Sequence, residues 1–358
     1  MHRSISVIPV IALAAAGFAG CSSSSSTPGG VSKIYVAEED SGSVAVIDTR
    51  SNRVLQDIAL DETMNGTKMM FMPHNVQVAP DGKSVWVTAP PMEPKPGDPE
   101  PNEEIVIIDP STDAIANRIV LGAGLHLAHV VLDAESRFAY VSANAANKVF
   151  QIDATSRAVT KTFDLGAGHK PHGMRVCGDR VFVANMDGKS MSILDPSAGA
   201  IQDVPLGGVA VQIACTSDGK FAFASLYDTR EVIRFERASG TVMRIALPAD
   251  AQGPVQLYPM PDNLRLFVCD QGVLLNRPAS NRLFEIDIAT AAVTATIQVG
   301  NGAHGVVVSD DGAWAYVTNT KDNTLSVVDT KARRVQATIP VGGAPNGVSH
   351  LHAGGGMP

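Results

Sequence analysis

Three histidines, His74, His172 and His304, each open a short apolar stretch, in the phrases PHNVQV, PHGMRV and AHGVVV. His129 falls one place later in the related phrase LAHVVL, and Asn346 holds the histidine's place in PNGVSH. Neutral imidazole binds zinc or copper through one ring nitrogen at about 2.0–2.1 Å. Histidines repeated at one place in a repeated phrase can converge on a copper or zinc ion, or line a pocket for a polar small molecule. They can equally bond only the local turn, a role that Asn346 would also fill. Ala128, Val211 and Val255 occupy the same slot elsewhere, so the turn itself does not demand a polar group.

Other donor groups are sparse. Met64, Met69, Met70 and Met72 precede His74 within residues 61–75. Thioether and imidazole together suit copper, but methionine is also a flexible filler of apolar gaps. After Cys21 only Cys177, Cys215 and Cys269 remain, with no CxxC spacing. Three cysteines do not make a disulfide framework, and Cys215 and Cys269 sit in apolar strand patterns that predict buried, unreactive thiols. HExxH, CxxCH and GxSxG motifs are absent, so the sequence assigns no catalytic residue.

The elements that position these groups come from a repeat. A four-residue, mostly apolar run ends in an acid seven times, at Asp48, Asp109, Asp153, Asp195, Glu236, Asp287 and Asp329. Successive gaps are 61, 44, 42, 41, 51 and 42 residues, a period near 42 with insertions. Each run is flanked by three further strand-like segments, with Asp81-Gly82, Asp218-Gly219 and Asp311-Gly312 as tight-turn signals. Four short strands per unit predict an all-β, seven-bladed β-propeller with four-stranded antiparallel blades. The recurring acids are expected to cap turns by accepting backbone N–H bonds.

The order of strands at the two ends predicts a split blade. The repeat begins at residue 33 with a second-type strand and ends at 346–351 with a first-type strand. The last strand must therefore complete the first sheet, which removes an open edge. The propeller is expected over 33–352, with 353–358 as a flexible tail. First strands are innermost in this architecture, so His74, His172 and His304 are expected around one channel mouth, separated by two, three and two blades. The Pro-rich stretch 89–104 is expected to be an exposed loop near that mouth.

The phrase YVTNTKDNTLSVVDT, with AHGV, APNGV and PDGK, resembles the YVTN-type seven-bladed propeller repeat family over residues 33–351. The likeness is strong in the last repeat and weaker where YVTN becomes FVAN, FASL and FVCD. The resemblance implies a mostly exported or cell-surface protein without an assigned activity, whose fold alone does not give function.

The first residues point to the same compartment. His2 and Arg3 precede the apolar run ISVIPVIALAAAGFAG, which ends in small residues before Cys21. FAGC resembles a bacterial lipobox, with Phe18 in the usual place of leucine. Residues 1–20 are thus expected to be a lipoprotein signal peptide, Cys21 a lipidated residue and 21–32 a Ser-rich tether. The expected partners are a membrane, through that anchor in the cell envelope, and a protein or small-molecule ligand. A formal net charge of -8 without a basic run gives no footprint for nucleic acid.

Overall fold

The computed structural model describes residues 32–64, 67–92, 101–352 and 355–356. Seven antiparallel blades form the propeller. Blade 1 joins Arg53–Ala59, Ser43–Asp48 and Lys33–Glu38 to the C-terminal strand Pro345–His352. Gly355–Gly356 pairs beyond that strand. Blades 2 to 7 each hold four strands, and their innermost strands are Val76–Val78, Leu127–Leu132, Pro171–Cys177, Ala210–Cys215, Pro254–Pro259 and Ala303–Val308. Together with Pro345–His352, these inner strands contact one another in sequence and close a ring.

One aromatic position recurs in the second strand of every blade: Tyr35, Trp86, Tyr140, Phe182, Phe223, Phe267 and Tyr316. All seven are buried. Aromatic and β-branched side chains fit a pleated surface, and here the opposite faces of each blade pack on its neighbours. The core accordingly lies between blades. One cluster joins Ile105 and Ile107 of blade 2 to Leu127, Val130 and Val141 of blade 3. Another joins Ile34 and Val36 of blade 1 to Val317 and Val328 of blade 7.

The acids after each third strand act as the sequence predicts. Asp48 accepts from the Arg50 amide, Asp153 from Thr155 and Ser156, Asp195 from Ser197 and Ala198, and Asp329 from Lys331 and Ala332. These bonds favour the ionised form and hold Asp153 and Asp195 below the usual carboxylate range. Glu236, one methylene longer, instead accepts from the Ser239 hydroxyl.

Two expectations need correction. Cys177 and Cys215 form a disulfide with a Cα separation of 5.9 Å, while Cys269 is the buried free thiol among the described residues. Cys177 and Cys215 end the inner strands of adjacent blades, so residues 38 apart in sequence become neighbours. Counting cysteines without placing them on the ring missed this. The stretch 89–104 is also not all loop. Pro91 bridges to Phe71, and Asn102–Asp109 is a strand whose Glu103 and Glu104 are buried. Glu103 accepts three backbone N–H bonds, from Leu125, His126 and Leu127, and so fastens the start of blade 3. Residues 93–100 lie outside the described residues, as do 1–31, which hold the expected signal peptide, Cys21 and most of the expected tether.

Pro345–His352 pairs with Lys33–Glu38, joining strands about 300 residues apart in one sheet. Removing residues 346–358 should strip the Lys33–Glu38 edge and unseat the blade 1 to blade 7 core. We expect a lower Tm and a broadened unfolding transition, read by circular dichroism; an unchanged melt would contradict this closure.

Candidate metal centre

Each histidine is set by the first turn of an inner strand. In blades 1 and 3 to 7 the inner strand carries a bulge near its start, such as the register shifts between Leu127 and Val130, Pro171 and Met174, and Ala303 and Val306. A bulge breaks strict alternation and lets successive residues point toward the same side. The amide freed there is taken up by a hydroxyl from the second strand. His129 donates to Ser142, Gln212 to Ser225 and Gly305 to Thr318, and Asn75 of blade 2 likewise donates to Thr88. Three of those hydroxyls donate onward to the next blade: Thr88 to the Ala128 carbonyl, Ser142 to His172 and Thr318 to Asn346.

His74, His129 and His172 converge. One ring nitrogen from each lies within 4.8 Å of the others, and the ring centroids are 4.9 to 5.5 Å apart. The residues come from blades 2, 3 and 4, which are consecutive. The sequence places His304 in the shared slot with His74 and His172, but the third member of the cluster is His129, one place beyond that slot in the blade between them. His129 reaches the site because the place after the slot also faces the channel, beside the bulge. The two-residue strand period, applied from that place onward, is the signal that would have found it.

The hydrogen bonds prepare two nitrogens for a ligand. His74 Nδ1 lies 2.6 Å from a Glu39 carboxylate oxygen, and His172 Nδ1 lies 2.9 Å from the Val211 carbonyl. These acceptors place a proton on each Nδ1, which leaves a lone pair on each Nε2. The two Nε2 atoms are 3.2 Å apart. Two nitrogens each about 2.05 Å from a tetrahedral ion would stand about 3.3 Å apart. Facing lone pairs repel unless a proton or a cation lies between them. A carboxylate or carbonyl behind a ligating imidazole is also the usual support of a metal centre. Glu39 was not anticipated, and no local pattern around it signals the role.

Burial favours the neutral form of His129 and His172. Loss of water lowers the His172 pKa to about 3, aided by the charge of His74, and pushes His129 far below its ordinary value. Burial also acts to raise Glu39, but its bond and charge interaction with His74 hold it below the carboxylate norm.

His304 and Asn346 complete the neighbourhood. His304 is 7% exposed, couples electrostatically to His74, and both its ring nitrogens lack a partner. Asn346 Nδ2 lies 3.3 Å from His74 Nδ1. Of the methionines before His74, Met70 is exposed and Met69 packs on the core shared by blades 1 and 2. The side chain of Met64 lies outside the described residues. His169 stands on the surface, bonded to Asp203 at 2.7 Å.

With this geometry in place, likeness to solved structures bears on the fold. Virginiamycin B lyase from Staphylococcus aureus aligns at a TM-score of 0.63 and 15% identity, over 78% of this chain and 92% of that one. Hydrazine synthase from Kuenenia stuttgartiensis aligns at 0.67 and 17%, over 83% and 92%. A putative 6-phosphogluconolactonase from Bacteroides fragilis aligns at 0.66 and 14%, over 91% and 99%. At such identities the likeness establishes a shared propeller and nothing about chemistry. No family model matches the chain, and no curated protein matches its sequence.

Buried neutral histidines make the metal-free protein acid-sensitive. Burial disfavours the charge of His304 and pushes its pKa down to about 4 in the folded protein, from near 6.5 in the unfolded chain. Its contribution is complete above about pH 6.5 and falls as pH drops toward 4, by about 3 kcal/mol. Urea titrations of chelator-treated protein at stepped pH should show such a slope, and His304→Asn should reduce it. An equal slope in the variant would contradict the assignment.

Proposed function

We propose that this chain is a metal-binding propeller, with His74, His129 and His172 holding one copper or zinc ion at the channel. The observation that carries the reading is the convergence of three imidazoles, one buried and two half-buried, two of which already have their Nδ1 bonded to a carboxylate or a carbonyl. Three protein ligands leave a position for water or a substrate, the pattern of reactive rather than purely structural sites. His304, buried beside His74 with unpartnered nitrogens, is a group that such an occupant would meet. Imidazole nitrogen suits both cations, and copper stands above zinc in the general affinity order.

The proposed setting is the cell envelope. The leader, the FAGC phrase and the YVTN-type repeats support export and anchoring at Cys21. A disulfide between Cys177 and Cys215 is also at home in an oxidising compartment. Among the described residues no helix is long and apolar enough to cross a membrane.

Protein purified without a polyhistidine tag should contain close to one equivalent of copper or zinc by mass spectrometry. Chelator-treated protein should rebind it, and the ion should raise the Tm because it binds only the folded chain. The triple variant His74→Asn, His129→Asn, His172→Asn should fold and bind roughly a hundredfold or more weakly. Parent binding no tighter than that of the triple variant would refute the centre.

The anchor is tested separately. Cys21→Ser should move the protein from the membrane fraction to the soluble exported fraction. Continued membrane partition would show that lipid at Cys21 does not hold it.

A further inference from the structure

Arg175 lies across the lumen. It extends from the inner strand of blade 4, and its guanidinium bonds Gln77 Oε1 of blade 2 at 3.3 Å. It also lies 5.7 Å from the ring centroid of Tyr258 in blade 6. Contacts on both flanking sides place the cation within the channel, three residues along the strand from His172. The corresponding residues of the other blades, among them Gln77, Val131, Tyr258, Val307 and Ser349, line the same space.

Neither partner neutralises the charge. Gln77 and Tyr258 are uncharged, and Arg175 takes part in none of the ion pairs of the described residues. A desolvated cation without a counter-ion is costly, and guanidinium, which cannot shed its proton in a protein, keeps its charge. A second donor faces the same space: Gln256 is 7% exposed and its Nε2 has no hydrogen-bond partner. Two independent side chains thus offer N–H groups without matching acceptors.

On the side away from the histidines, Arg175 opens into a cavity of about 510 Å³. Its walls include Leu132, Tyr258, Met260, Pro261 and the Cys177–Cys215 disulfide. The volume suits a small organic molecule, and these walls suit an apolar body. The carboxylates at this cavity, Asp218 and Asp310, are exposed.

We infer that the far half of the channel is a binding site for a small organic carboxylate, its carboxylate paired with Arg175 and Gln256 Nε2 and its apolar body in the cavity of Met260 and the disulfide. Arginine binds a carboxylate through two parallel N–H bonds, which gives orientation as well as affinity. The inference does not require the metal centre.

Calorimetric titration of benzoate and octanoate into chelator-treated, tag-free protein tests it, with benzamide as the neutral counterpart and inorganic phosphate as the bare oxyanion. Removing metal first ensures that carboxylate bound to an ion is not counted. At least one carboxylate should bind saturably at one site, and benzamide should bind roughly tenfold or more weakly. Arg175→Gln should weaken binding by a similar factor, Arg175→Lys should retain part of it, and Gln256→Leu should weaken it while leaving the cation in place. If Arg175→Gln does not fold, the Gln256→Leu and Arg175→Lys comparison decides. Absence of saturable carboxylate binding overturns the inference. So does equal binding of benzamide, phosphate binding tighter than either carboxylate, or affinity unchanged in the folded variants.

Discussion

The hydroxyl that links one blade to the next is the small interaction on which the site depends. Thr88, Ser142 and Thr318 each accept from an amide freed near the start of their own inner strand and donate to a carbonyl of the following blade. Such an oxygen satisfies two buried backbone groups that would otherwise lack partners, and leaving either unmet costs roughly 1–3 kcal/mol. It also ties the turn carrying one channel residue to the turn carrying the next. The ring nitrogens of His74, His129 and His172 therefore inherit their spacing from the backbone, before any ligand is present.

That constraint explains the contrast between the lumen and the blade interfaces. Between blades the contacts are apolar and continuous, from the recurring aromatic position to the clusters that join adjacent sheets. Inside the ring the residue after the histidine slot is a polar group in four blades and glycine in three. Asn75, His129, Gln212 and Gln256 fill the space, while Gly173, Gly305 and Gly347 yield it. A Cβ at Gly173 would stand 2.1 Å from Gln212 Oε1, and one at Gly347 would meet the Asn75 backbone at 2.8 Å. The glycines are thus part of how the polar side chains are accommodated in a narrow lumen.

The fold was legible because it repeats. The period near 42, the capping acids and the strand order at the two ends carry the number of blades and the split closure, and those signals are local or additive. The centre was legible only in part. His74 and His172 share the slot that drew attention, whereas His129 stands one place beyond it, beside the bulge, where the strand period and not the shared slot points to the channel. The disulfide shows the same limit: Cys177 and Cys215 become meaningful once each is placed at the end of an inner strand of neighbouring blades. Glu39 and the Val211 carbonyl support the rings from outside the histidine phrases, and a backbone carbonyl carries no sequence signature.

The split blade has a mechanical side. Lys33–Glu38 lies between Ser43–Asp48 and Pro345–His352, hydrogen-bonded to both. A pull on the chain at Ser32 runs along that strand and loads the two bonded rows together in shear. Such a load must break many bonds at once, whereas peeling an edge strand opens them one after another. Traction from the N-terminal side therefore meets the closure of the ring, braced by the opposite end of the same polypeptide, while the inner strands of blades 2 to 4 that carry the three histidines lie outside the loaded joint.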